Sequence, residues 1–132
     1  MNKKTFITAA GATCVNWTWS WSYVNHEERL VIFGAWDKHT DGDVALIFGE
    51  DWQRKEDGKK RPAFGQSREH IRLIEEAGYT LKTFPLVYSD EKKNGEGDGP
   101  SKIKSFTPVL TACILHNIKG NWYAEQNRPD AV

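Results

Sequence analysis

The stretch Asn16-Trp17-Thr18-Trp19-Ser20-Trp21-Ser22-Tyr23 alternates four aromatic rings with four small polar residues. Successive side chains of a strand point to opposite faces. The pattern therefore predicts a strand with Trp17, Trp19, Trp21 and Tyr23 on one face and Asn16, Thr18, Ser20 and Ser22 on the other. Two roles fit so much indole on one side. It fills an aromatic core, or it walls a pocket for a planar ligand.

Outward from this run, Asn25-His26-Glu27-Glu28 reads as a turn, and residues 29–36 (RLVIFGAW) as a second strand rich in β-branched and aromatic residues. The two strands predict a hairpin. Residues 37–43 form a polar connection containing Gly42, and residues 44–48 a short third strand closed by Gly49. Residues 79–88 predict a strand interrupted at Pro85. Residues 103–118 predict a long strand whose Pro108 implies an edge or a bulge. Gly120 closes a turn into Asn121-Trp122-Tyr123-Ala124.

One helix is expected, over about residues 67–77. Ser67 is a good N-cap, Ile71, Leu73, Ile74 and Ala77 follow at helical spacing, and Gly78 stands where a terminating glycine belongs. Its solvent face would carry Arg68, Glu69, Arg72, Glu75 and Glu76. Residues 50–66 and 90–102 read as flexible loops, and the tail from about 126 as frayed. The sum is one domain over residues 1–132. Its class is α+β, a curved, largely antiparallel sheet with one main helix.

Composition bounds the function. A chain of 132 residues, 39% hydrophobic and 12% aromatic, buries a core without staples. Cys14 and Cys113 stand far apart and form neither a zinc ribbon nor a disulfide scaffold, so a reducing cytoplasm is expected. No run approaches the length of a membrane span, and residues 1–14 lack the apolar stretch of a signal peptide. The formal net charge is zero. It is unevenly spread, with +4 over residues 52–72 and −5 over residues 25–51. The basic segment presents either a positive face to a polyanion or a solvated loop that keeps the chain soluble.

Signatures of catalysis are missing from the sequence. It has no GxSxG, Walker loop, HExxH or GxGxxG motif, and His26, His39, His70 and His116 show no metal-ligand spacing. No cofactor, metal or catalytic residue is expected. For phosphate contacts the candidates are Arg54, Lys55, Lys59, Lys60 and Arg61 in the basic loop, then Ser67, Arg68 and His70 at the helix start. For Ser67, capping alone competes with that role.

Two segments, NWTWSWSYVNHEERLVIFGAWD (residues 16–37) and QSREHIRLIEEAGYTLKTFPLVYSD (residues 66–90), resemble the N-terminal recognition region of McrA-type, methylcytosine-specific HNH restriction endonucleases and related HNH proteins. Ser67-Arg68-Glu69-His70-Ile71-Arg72-Leu73, then Gly78-Tyr79, is similar to that family's Ser-Pro-Arg-Asp-Ile-Arg-Leu and Gly-Tyr pattern. The resemblance covers about residues 16–124. It implies binding of double-stranded DNA that carries methylated or hydroxymethylated cytosine, as the targeting part of a type IV-like restriction system in phage defence. The family's nuclease unit, commonly with two CxxC pairs, has no counterpart here. The resemblance therefore implies a non-cutting chain that works with a fused or separate HNH nuclease. An apolar methyl is invisible to hydrogen bonds, so an aromatic surface must sense it. Trp17, Trp19, Trp21 and Trp36 are the candidates, with Trp19 and Trp36 foremost. A small-molecule or modified-nucleoside pocket, and a protein-interaction module with exposed tryptophans, stand as alternatives.

Overall fold

The computed structural model describes residues 2–14, 17, 20–50, 62–88 and 103–126. Among them are two helices and eight strands: α1 (Lys3–Ala9), β1 (Ser22–Asn25), β2 (Leu30–Trp36), β3 (Thr40–Asp41), β4 (Val44–Gly49), α2 (Pro62–Ala77), β5 (Thr80–Tyr88), β6 (Ile103–Phe106), β7 (Thr111–Ile118) and β8 (Asn121–Gln126). The strands form one sheet in the order β1-β2-β5-β7-β8-β4-β3, with β6 also on β5. Every pairing is antiparallel except β2 with β5. The fold is the expected α+β class.

Local chemistry sets the connections. β1 and β2 form the expected hairpin, turning at His26–Arg29, where Arg29 takes φ 53°. β7 and β8 are joined by Lys119 and Gly120, both at positive φ, the backbone that a tight hairpin turn demands. The parallel β2–β5 pair needs a crossover, and β3, β4 and α2 supply it. Gly78, at φ 73°, ends α2 as expected.

Proline shapes the middle of the sheet. β5 runs unbroken through Pro85, contrary to the expected interruption, and pairs there with Ala35 of β2. The break falls on the other side instead. Pro85 has no N–H to offer its antiparallel neighbour, and at that point β6 and β7 are separated by Thr107–Leu110, which contains Pro108. Thr107 N still donates to Pro85 O at 3.0 Å.

The sheet carries a cluster on each side. On the α2 side, Val24, Val31, Phe33, Ala45, Ile47, Phe48, Ile71, Leu81, Trp122 and Ala124 are buried together. β2 and β4 both contribute, although three strands separate them in the sheet order, so the sheet curls around this core. A register shift between Leu46 and Phe48 lets the consecutive residues Ile47 and Phe48 both point inward. On the α1 side, Ile7, Ala12, Tyr23, Leu30, Ile32, Phe84 and Leu86 form the second cluster.

Candidate nucleic-acid interface

The aromatic run does not form one strand. Regular pairing starts only at Ser22, and Trp17 lies in a turn. Within β1, alternation holds. Tyr23 faces the α1-side cluster, whereas Val24 faces the α2-side core. Trp17 packs on the α1 side and stacks on Tyr23, with centroids 5.7 Å apart and planes inclined by 21°. Trp21 packs on the opposite side, its ring 6.4 Å from that of Phe48. The expectation that Trp17, Trp21 and Tyr23 share a face is thus corrected. A regular strand cannot place Trp21 and Tyr23 on opposite sides of the sheet, and packing of the Trp17 and Trp21 rings on opposite clusters outweighs the pairing. Trp36, at the end of β2, is half-buried against the α1-side cluster. Trp19 lies outside the described residues. Of the four described tryptophans, none is exposed.

A pair of lysines completes the Trp17–Tyr23 stack. The Lys3 ammonium sits over the Tyr23 ring at 5.7 Å, and that of Lys4 over the Trp17 ring at 5.8 Å. They come from α1, whose N-cap Asn2 accepts a bond from Thr5 N at 2.7 Å, and whose Phe6 and Ile7 dock on the cluster. Burial lowers the pKa of Lys3, opposed by Cys14 close by. Burial also pushes the Tyr23 phenol far above its usual range, so it stays protonated. The sequence reading missed these lysines. Their only signal is a capping residue and one short apolar stripe, Phe6, Ile7 and Ala10, next to the aromatic run.

The helix start differs from expectation. α2 begins at Pro62, five residues before Ser67. Proline is at home in a first helical turn, and Phe64 anchors the added turn, its ring 5.0 Å from that of Phe48. Residues 62–66 therefore belong to a helix rather than a loop. Ser67 consequently lies inside α2, fully buried, with its Oγ 2.8 Å from Ser22 Oγ. It neither caps the helix nor reaches a phosphate. His70, 5% exposed, places Nδ1 2.6 Å from the same Ser22 hydroxyl. Burial, with repulsion from His26, lowers its pKa to about 4. A buried, neutral imidazole of this kind is not a phosphate contact. The Ser22–Ser67–His70 cluster instead ties β1 to α2.

Arg68 is exposed, as expected, but engaged. Its Nε lies 3.5 Å from Glu50 Oε1, and its guanidinium lies 5.2 Å from the centre of the Trp122 ring. The indole Nε1–H of Trp122 donates to Glu75 Oε2 at 3.0 Å. Arg72 pairs with Glu69. Arg68 and Arg72 also line, with Gly65, Glu69 and Glu76, a shallow groove of about 340 Å³ that has no aromatic ring in its lining. Arg54, Lys55, Lys59, Lys60 and Arg61 lie outside the described residues, as do residues 90–102 and the tail beyond 126.

The described residues contain no group of three or more metal-ligating side chains and no helix long and apolar enough to cross a membrane. Comparison with protein-family models, curated proteins and solved structures gave no match to this chain.

Proposed function

We propose that this chain is a DNA-binding domain that recognises modified cytosine, methylated or hydroxymethylated, as the targeting part of a type IV-like restriction system. The observation that carries the reading is the Trp17–Tyr23 stack with lysine ammoniums over both rings. In this reading the half-buried Trp17 indole, stacked on Tyr23 and under the Lys4 ammonium, receives a base when Lys4 swings from the ring to a flanking phosphate. Trp36 belongs to the same side of the sheet, and Trp21 is assigned to the core. The chain carries no nuclease of its own in this reading and works in the cytoplasm with an HNH nuclease, fused or separate. Arg68 is retained as a backbone contact at the exposed edge of α2, exchanging Glu50 for a phosphate.

A titration of labelled duplexes, plain and cytosine-modified, at two salt concentrations tests this. The expected result is tighter binding of the modified duplex, with affinity for both falling steeply as salt rises. Equal, weak and salt-insensitive binding of all duplexes would falsify the proposal.

A protein-interaction module is the second reading, carried by the outer side of β7 rather than by exposed tryptophans. Ile114 and Ile118 of β7 and Val109 before it are large apolar residues in solvent, at 49%, 56% and 55% exposure. Salt-insensitive capture of a protein partner, lost on replacing Ile114 and Ile118 by serine, would favour it.

A further inference from the structure

Resting on the DNA-binding reading, we infer that Lys3 and Lys4 form a phosphodiester clamp that holds the backbone of the strand whose base is set against Trp17. The lysines are consecutive, and each ammonium lies within 6 Å of a different ring of one stacked pair. Each ring of the stack thus has one ammonium over it. Two consecutive lysines suit two successive phosphates of one strand.

Lys3 and Lys4 differ from the described arginines named above. Arg68 pairs with Glu50, Arg72 with Glu69 and Glu76, and Arg29 caps the last turn of α2 at the Ala77 carbonyl. Neither Lys3 nor Lys4 has a carboxylate within ion-pair distance among the described residues. Lys3 is also partly buried, and that desolvation lowers its pKa, with Cys14 opposing. A desolvated ammonium with no carboxylate beside it among the described residues is costly, and an external anion relieves that cost. The ring faces beneath the lysines attract cations only weakly, so they orient the ammoniums without neutralising them. Because the rings and cations belong to one packed unit, base and phosphate contacts are made together.

The test measures duplex affinity against salt for the full chain and three variants: Lys3→Gln/Lys4→Gln, Lys3→Arg/Lys4→Arg, and Lys4→Gln alone. Each phosphate contact contributes roughly 0.9 to the slope of log affinity against log salt. The double glutamine variant is expected to lose about 2 from that slope and to bind at least tenfold more weakly at low salt. The arginine pair keeps the slope. Lys4 is exposed, so Lys4→Gln folds normally and loses about half as much slope. A folded double glutamine or Lys4→Gln variant with wild-type slope and affinity overturns the clamp. Salt-insensitive binding by the wild type overturns the DNA reading, and the clamp with it.

Discussion

Replacing Phe48 by alanine is expected to destabilise the domain by about 3–5 kcal/mol. Phe48 is fully buried, and its ring meets those of Trp21, Phe64 and Trp122 at 6.4, 5.0 and 5.5 Å. The sheet, the first turn of α2 and the end of the aromatic run converge on this one side chain. Removing the ring forfeits its transfer free energy and leaves a cavity between elements that cannot all collapse inward. The Leu46–Phe48 register shift fixes the backbone there, which limits relaxation further. Since domains of this size are stable by roughly 5–15 kcal/mol, the variant retains little margin. Urea unfolding at neutral pH gives the number directly. A loss below about 1 kcal/mol would contradict the placement of Phe48 at this junction. Phe48→Leu, which keeps most of the volume, is expected to cost clearly less.

Acidification is the second large effect, and His70 is its source. The folded-state pKa of His70 is lowered from 6.5 to about 4, first by burial and then by His26, with Glu69 acting in the opposite direction. A depressed folded pKa means that the unfolded chain binds the proton more tightly. The stability contributed by neutral His70 is therefore complete above pH 6.5. It is lost as pH falls from 6.5 to about 4, and no further loss arises below that. The difference amounts to about 3 kcal/mol. The structural consequence is local to β1 and α2. A charged imidazole can no longer accept a hydrogen bond at Nδ1, and Ser22 must then satisfy Ser67 alone. Unfolding free energies at pH 7, 5.5 and 4.5 should show this slope, and His70→Gln should remove most of it. An equal slope in both proteins would show that other groups, chiefly carboxylates, govern acid sensitivity.

Both effects depend on contacts far apart in sequence, and that separation decides how much could be read in advance. The hairpin of β1 and β2, the glycine end of α2 at Gly78 and its charged outer face follow from local rules, and they stand in the structure. Ser67 shows where local rules fail. A serine ahead of an apolar helical pattern reads as a cap, but its hydroxyl is taken by Ser22, which lies 45 positions away. Pro62 was the better start signal, since a proline in the first turn costs no hydrogen bond. The aromatic run misleads for a related reason. Perfect alternation is a strand signal only if all the rings belong on one side. Here Trp17 is drawn to Tyr23 and Trp21 to Phe48, across the sheet from each other. Lys3 and Lys4 make no basic cluster in the sequence, since two lysines on a seven-residue helix carry no such signal. They matter through the rings beneath them.

The exposed apolar side of β7 follows from the same topology. Cys113 and Leu115 face the α2-side core, while Ala112, Ile114, His116 and Ile118 face outward. α1 contacts the other half of that outer side, around Tyr23, Ile32 and Phe84. The His116–Glu125 pair, at 3.0 Å, is the polar feature that crosses from β7 to β8 on this surface.

The central claim is that the half-buried Trp17 face senses the substituent on a cytosine. Its most direct test is the ratio of affinities for modified and plain duplexes of one sequence at one salt concentration, for the wild type and for Trp17→Ala. Base stacking on an aromatic ring is worth about 1–3 kcal/mol. The wild type should prefer the modified duplex, and Trp17→Ala should bring the ratio close to one while leaving salt-dependent binding of plain DNA in place. A folded Trp17→Ala protein that keeps the wild-type ratio would contradict the claim.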